Sequence, residues 1–128
     1  MKIYLPIFIL ILLAGCSSTP EMPDELKAEL YAPIICEEPD CKLLWERAMF
    51  YVSNNAGFKM QIANDSLIET FNPTDYSVKL AYRIQKQPLG GGKYKILTSA
   101  WCANLFGCHP DQYEAILKAK RYIRSGIY

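Results

Sequence analysis

Apolar side chains recur along this chain in three rhythms, and the changes of rhythm mark its parts. From Ile3 to Ala14 there is no rhythm, because nearly every residue is apolar. Between Cys41 and Asn54, Leu44, Trp45, Ala48, Met49 and Val52 fall at the three- and four-residue spacing of one helix face, with Lys42, Glu46, Arg47 and Ser53 off it. Asp40 stands where an N-cap is wanted, and Gly57 suits the C-terminal stop. From Phe58 the period drops to two. Phe58, Met60 and Ile62 alternate with polar or small residues, Asn64-Asp65 offers a two-residue turn, and Leu67, Glu69 and Phe71 return opposite Ile62, Met60 and Phe58. After the turn cluster Asn72-Pro73-Thr74-Asp75, a third strand is expected with Tyr76, Val78, Leu80, Tyr82 and Ile84 inward. Pro88 to Gly92 reads as a loop, and Lys93 to Trp101 as a fourth strand with Tyr94, Ile96, Thr98 and Ala100 on one face. Helical spacing returns after Pro110, with Tyr113, Ile116, Leu117 and Ile123 on the inner stripe, Lys120 at its border, and an end near Arg124.

These elements predict an α+β fold: a four-stranded antiparallel sheet in α-β-β-β-β-α order, with both helices packed on the sheet's one strongly apolar face. The expected organisation is a leader over residues 1–15, an acidic proline-containing tether over 16–35, and a single domain over 36–128. Within the tether, Leu26 and Leu30 allow a short helix over Asp24–Tyr31, with a disordered linker as the other option.

The apolar stretch at the start is too short for a stable span. Twelve helical residues rise about 18 Å, against about 30 Å of hydrocarbon. Lys2 before the run and small residues after it follow the export pattern. Leu13-Ala14-Gly15-Cys16 resembles the lipobox of bacterial lipoprotein precursors, position by position, in the right place after the apolar run. The resemblance covers residues 1–16 only. It implies that the Cys16 thiol receives a diacylglycerol, that the chain is cut just before Cys16, and that the new amino group is acylated, as with palmitate. It further implies export, with Ser17 in place of Asp favouring the outer membrane and leaving the domain in the periplasm. One acyl chain anchors marginally and two or more anchor stably.

With Cys16 assigned to lipid, four cysteines remain, Cys36, Cys41, Cys102 and Cys108, and an exported chain uses an even set for disulfides. Each local pair flanks a short turn beside a helix start, which favours Cys36–Cys41 with Cys102–Cys108; the two cross-linked pairings stay open. A zinc site from these cysteines and His109 lacks the usual C-x2-C spacing. Gly90-Gly91-Gly92-Lys93 is not a phosphate loop, since Gln87 and Tyr94 stand where a glycine and a hydroxyl are required. His109, the sole histidine, has no nucleophile at a recognisable local spacing. No catalytic constellation, metal set or cofactor is expected.

Charge adds a partition. Residues 76–128 hold nine basic and two acidic residues, whereas residues 16–40 hold one basic and seven acidic. The basic half suits anionic lipid, an acidic partner or the chain's own tether. Nucleic acid is disfavoured by the expected location. The sheet face left bare by the helices is expected to show Lys59, Gln61, Ile68, Thr70, Lys79, Ala81, Arg83, Gln85, Lys95, Leu97 and Trp101. Basic and apolar groups so mixed suit a protein-binding surface, with Lys79, Arg83, Lys95, Leu97 and Trp101 as its residues. The expected function is therefore that of a non-catalytic binding or accessory subunit of an envelope assembly. The alternatives are an inhibitor of a cell-wall hydrolase, acting through Cys102–Cys108 or Pro88–Gly92, and a small cell-wall-acting enzyme using His109.

Overall fold

The computed structural model describes residues 20–128; Cys16 and the leader lie outside the described residues. The elements are α1 (Asp24–Tyr31), β1 (Ile34–Glu37), α2 (Asp40–Asn55), β2 (Met60–Ala63), β3 (Leu67–Thr70), β4 (Ala81–Gly90), β5 (Lys93–Trp101) and α3 (Gln112–Ser125). The class is α+β. The described residues hold three helices and one antiparallel sheet of five strands, not the expected two and four, with strand order β1-β5-β4-β3-β2.

The added strand and helix come from the stretch expected to be tether. β1 pairs antiparallel with β5, Ile34 facing Ile96 and Cys36 facing Tyr94. Leu30 of α1 is buried in the core. The boundary expected at residue 35 is therefore too late, because both segments bury apolar side chains that a solvated tether would leave in water. Lys120 of α3 holds α1 in place. Its ammonium is buried, 2% exposed, and donates to the carbonyls of Glu29, Leu30 and Ala32, which end α1 and would otherwise lack partners. Arg121 adds a two-pronged pair to the Glu29 carboxylate at 2.8 and 2.9 Å.

α2 and α3 lie over the same sheet face. Trp45, Ala48, Tyr51 and Val52 of α2 and Ile116, Leu117, Ala119 and Ile123 of α3 pack with Ile34, Ile68, Tyr82, Ile84 and Ile96. Tyr113, expected inside, is exposed, and Lys120, expected at the border, is inside. Asp111 is the N-cap of α3, its carboxylate accepting from the amides of Tyr113 and Glu114 at 2.9 and 3.0 Å. Asp40, expected as the cap of α2, is instead its first helical residue and makes no cap bond. Its charge still sits at the helix's positive end. Gly57 follows α2 in a close crossing: a Cβ there would stand 2.5 Å from Cβ of Lys79.

Two strands depart from expectation. In the β2–β3 hairpin, Ala63 faces Ile68 and Ile62 faces Glu69, two residues beyond its expected partner Leu67, and Met60 faces Thr70 across an irregularity between Met60 and Ile62. The Asn64 side chain causes the change: its Oδ1 accepts from the amides of Ser66 and Leu67, which places the turn at Asp65-Ser66. β3 turns its other face to the core through β4, where Ile68 lies opposite the buried Ile84, so Ile68 and Thr70 are buried and Phe71 is exposed, the reverse of the expectation. β4 begins five residues late and continues through Pro88 and Leu89, expected as loop. Tyr76 has φ of 59°, outside any strand conformation, and the chain ahead of β4 instead runs beside residues 102–109. Tyr76 and Val78, expected inside, are exposed.

Candidate functional site

The outer sheet face is built by alternation. Arg83, Gln85 and Gln87 on β4 and Lys95, Leu97, Ser99 and Trp101 on β5 point away from the helices, because Tyr82, Ile84, Ile96 and Ala100 point toward them. Arg83, Lys95, Leu97 and Trp101 are thus together on one surface, as expected. Ile35 of β1 joins them opposite Lys95 and is 58% exposed. Lys79 does not belong to this row: it lies ahead of β4, against Gly57. Ile68 and Thr70 are replaced on this face by Leu67 and Glu69, because Leu67 and Glu69 pair with the outward Gln85 and Arg83 of β4. Glu69 meets Arg83 at 3.3 Å, so one of the two central charges is partly neutralised from within. Ala81, opposite Trp101, is fully buried, which marks where the bare face ends.

The four remaining cysteines form Cys36–Cys41 and Cys102–Cys108, the local pairing. Their sulfurs are therefore committed to each other, which leaves no thiolate for a zinc site with His109. The first bond ties the end of β1 to the start of α2. The second closes a loop between β5 and α3. At the tip of that loop stand Leu105 and Phe106, 87% and 99% exposed. The loop is braced on both sides: Asn104 Oδ1 accepts from the Phe106 amide at 2.9 Å, and Asn104 Nδ2 donates to the Tyr76 carbonyl at 2.8 Å. His109, just beyond the loop, is exposed, and its backbone amide donates to the Val78 carbonyl. Alternation and cysteine spacing indicate the loop but not its exposure, which depends on which side the chain ahead of β4 takes.

A third feature lies between α2 and α3, where Tyr51, Tyr122 and Tyr128 stack beside a cavity of about 670 Å³ that Lys118 and Arg121 also line. Burial pushes the phenols of Tyr51 and Tyr82 above their ordinary range. The Arg121 hydrogen bond holds Glu29 below the usual carboxylate range, and burial pulls Lys120 below that of a free lysine. These shifts all belong to groups that hold the helices to one another or to the sheet. Among the described residues no three potential metal ligands come together, and no helix is long and apolar enough to cross a membrane. The chain matches no family model, no curated protein and no solved structure.

Proposed function

We propose that this chain is a lipid-anchored protein of the bacterial envelope, held through Cys16 at the outer membrane, whose periplasmic domain serves an assembly as a non-catalytic binding subunit. The single observation that carries the binding role is the outer sheet face, where Ile35 and the half-buried Leu97 and Trp101 stand among Arg83 and Lys95 on the side away from α2 and α3, with the end of α1 bordering Leu97. Apolar anchors ringed by cations fit a protein partner whose own surface is apolar at the centre and acidic at the rim. The lipobox Leu13-Ala14-Gly15-Cys16 supports the location.

The test is capture of partners by the tagged full chain from cells, beside Arg83→Glu and Trp101→Ala variants of equal abundance and thermal stability. The expected result is loss of at least one partner in both variants. Retention of every captured partner refutes the binding face. The anchor is tested separately: Cys16→Ala is expected to shift the protein from the membrane to the soluble fraction.

A further inference from the structure

The start of the described chain and the tip of the second disulfide loop lie at one end of the domain. α1 packs against α3. Glu29, Leu30 and Ala32 at the close of α1 meet Lys120 and Arg121, late in α3. Pro20 and Met22, ahead of α1, line a cavity of about 400 Å³ with Leu30 and Tyr31 of α1 and with Asp111 and Tyr113, at the opening of α3. Asp111 and Tyr113 also line a neighbouring cavity of about 310 Å³ with Leu105, Gly107 and Cys108. The helix N-terminus is thus flanked by the incoming chain on one side and the loop on the other.

Chain length turns this placement into a constraint. Four residues of chain carry Cys16 to Pro20, a reach of at most about 14 Å when fully extended. An acyl-anchored Cys16 therefore keeps this end of the domain, and not the opposite one, against the lipid surface. The side chains waiting there are Leu105 and Phe106, the two most exposed large apolar residues described. The disulfide and the two Asn104 hydrogen bonds hold the loop in shape beforehand, so its insertion needs little further ordering.

Resting on the lipid-anchor reading above, we propose that Leu105 and Phe106 form a second membrane contact, entering the boundary between headgroups and acyl chains beside the lipidated Cys16. Full burial of such a side chain shifts partition by roughly ten- to a hundredfold. The covalent anchor makes the contact intramolecular, so even partial burial is enough to populate it. Charge selects the kind of lipid. Around this end stand Glu21, Asp24, Glu25, Asp75, Asp111 and Glu114 against three lysines: Lys27 is engaged by Glu21 and Asp24, Lys118 by Glu114, and Lys79 lies against Gly57. An acidic rim is repelled by an anionic surface, so the contact is with zwitterionic lipid.

The experiment uses the full lipidated chain in phosphatidylcholine vesicles with brominated acyl chains, which quench indole fluorescence at membrane depth. Phe106→Trp is compared with wild type, whose Trp45 is buried and whose half-buried Trp101 sets the baseline, and with Phe50→Trp, which lies beside Tyr122 toward the other end of α3. At least twofold more quenching for Phe106→Trp than for either reference supports the contact. Equal quenching in all three overturns it. The excess is expected to fall in phosphatidylglycerol vesicles, and an unchanged excess overturns the assignment to zwitterionic lipid. The mass of the same preparation separates the two readings. A chain without lipid on Cys16 brings down the anchor and the contact together, whereas a lipidated chain without excess quenching brings down the contact alone. If Phe106→Ser instead removes a cross-linked protein from cells while vesicle quenching stays at the reference level, the loop serves a protein partner and the proposal fails.

Discussion

The two disulfide loops use nearly the same covalent device to opposite ends. Cys36–Cys41 has both sulfur-bearing residues buried in the core, and the residues between them, Glu37-Glu38-Pro39-Asp40, are polar or small and exposed. Cys102–Cys108 is only half-buried, and it turns Leu105 and Phe106 to water. Closing either loop removes a similar amount of chain freedom from the unfolded state, about 2 kcal/mol at this length. The difference lies in what the closure holds. The first fastens an edge strand to a helix under which the core forms. The second holds a loop whose tip turns two apolar side chains to water. A disulfide can thus serve folding or presentation, and burial of its neighbours tells which.

The comparison is open to direct attack. Replacing Cys36 and Cys41 together by alanine is expected to cost about 3 kcal/mol, the loop constraint plus lost core packing. Replacing Cys102 and Cys108 is expected to cost about 2 kcal/mol. Urea unfolding measures both, and equal losses would erase the distinction. Lys120→Ala is next, at roughly 2 kcal/mol, because three carbonyls lose a charged donor. Its signature is faster amide exchange through α1, with the loop around Cys102 unchanged.

Alkali probes the core that the first loop helps to close. Tyr51 and Tyr82 have phenols raised by burial above the ordinary value of 10.0. Their stabilisation is complete below pH 10 and is lost as pH rises beyond it, because the unfolded chain ionises first; the loss is up to about 1.4 kcal/mol per pH unit for each phenol. Lys120, lowered by burial, works in the opposite sense and adds stability as its proton leaves. Two phenols against one ammonium give a net decline, seen as a falling melting temperature above pH 10. The smallest effect is expected for Leu105→Ser with Phe106→Ser, under about 0.5 kcal/mol, since neither side chain is packed. A larger loss would show that the loop folds back in solution and does not present its tip.

Strong periodicity made α2, β5 and α3 legible in the sequence, and local spacing beside helix starts indicated the disulfide pairing. β1 was hidden because its four residues begin with two adjacent isoleucines after Pro33, leaving too little alternation to register. β3 was given the wrong face because Leu67, Glu69 and Phe71 and Ile68 and Thr70 both make tolerable inner faces; the pairing of Ile68 with Ile84 of β4 decides between them. The alternation from Tyr76 to Ile84 is unbroken in the sequence, yet its first half is loop, because a positive φ at Tyr76 ends strand geometry whatever the pattern. Of the outer sheet face, Arg83, Lys95, Leu97 and Trp101 follow from alternation alone. Ile35 does not, since it depends on a strand contributed from outside the expected domain.

The sheet's margins carry a last consequence. Both outermost strands, β1 and β2, are only four residues long. β1 covers just the first half of β5, and β2 carries a register irregularity between Met60 and Ile62 with Lys59 and Gln61 exposed beside it. Long flat margins let copies zip together into extended sheets; short, kinked and charged ones do not. Crowded side by side, these domains can jostle without polymerising.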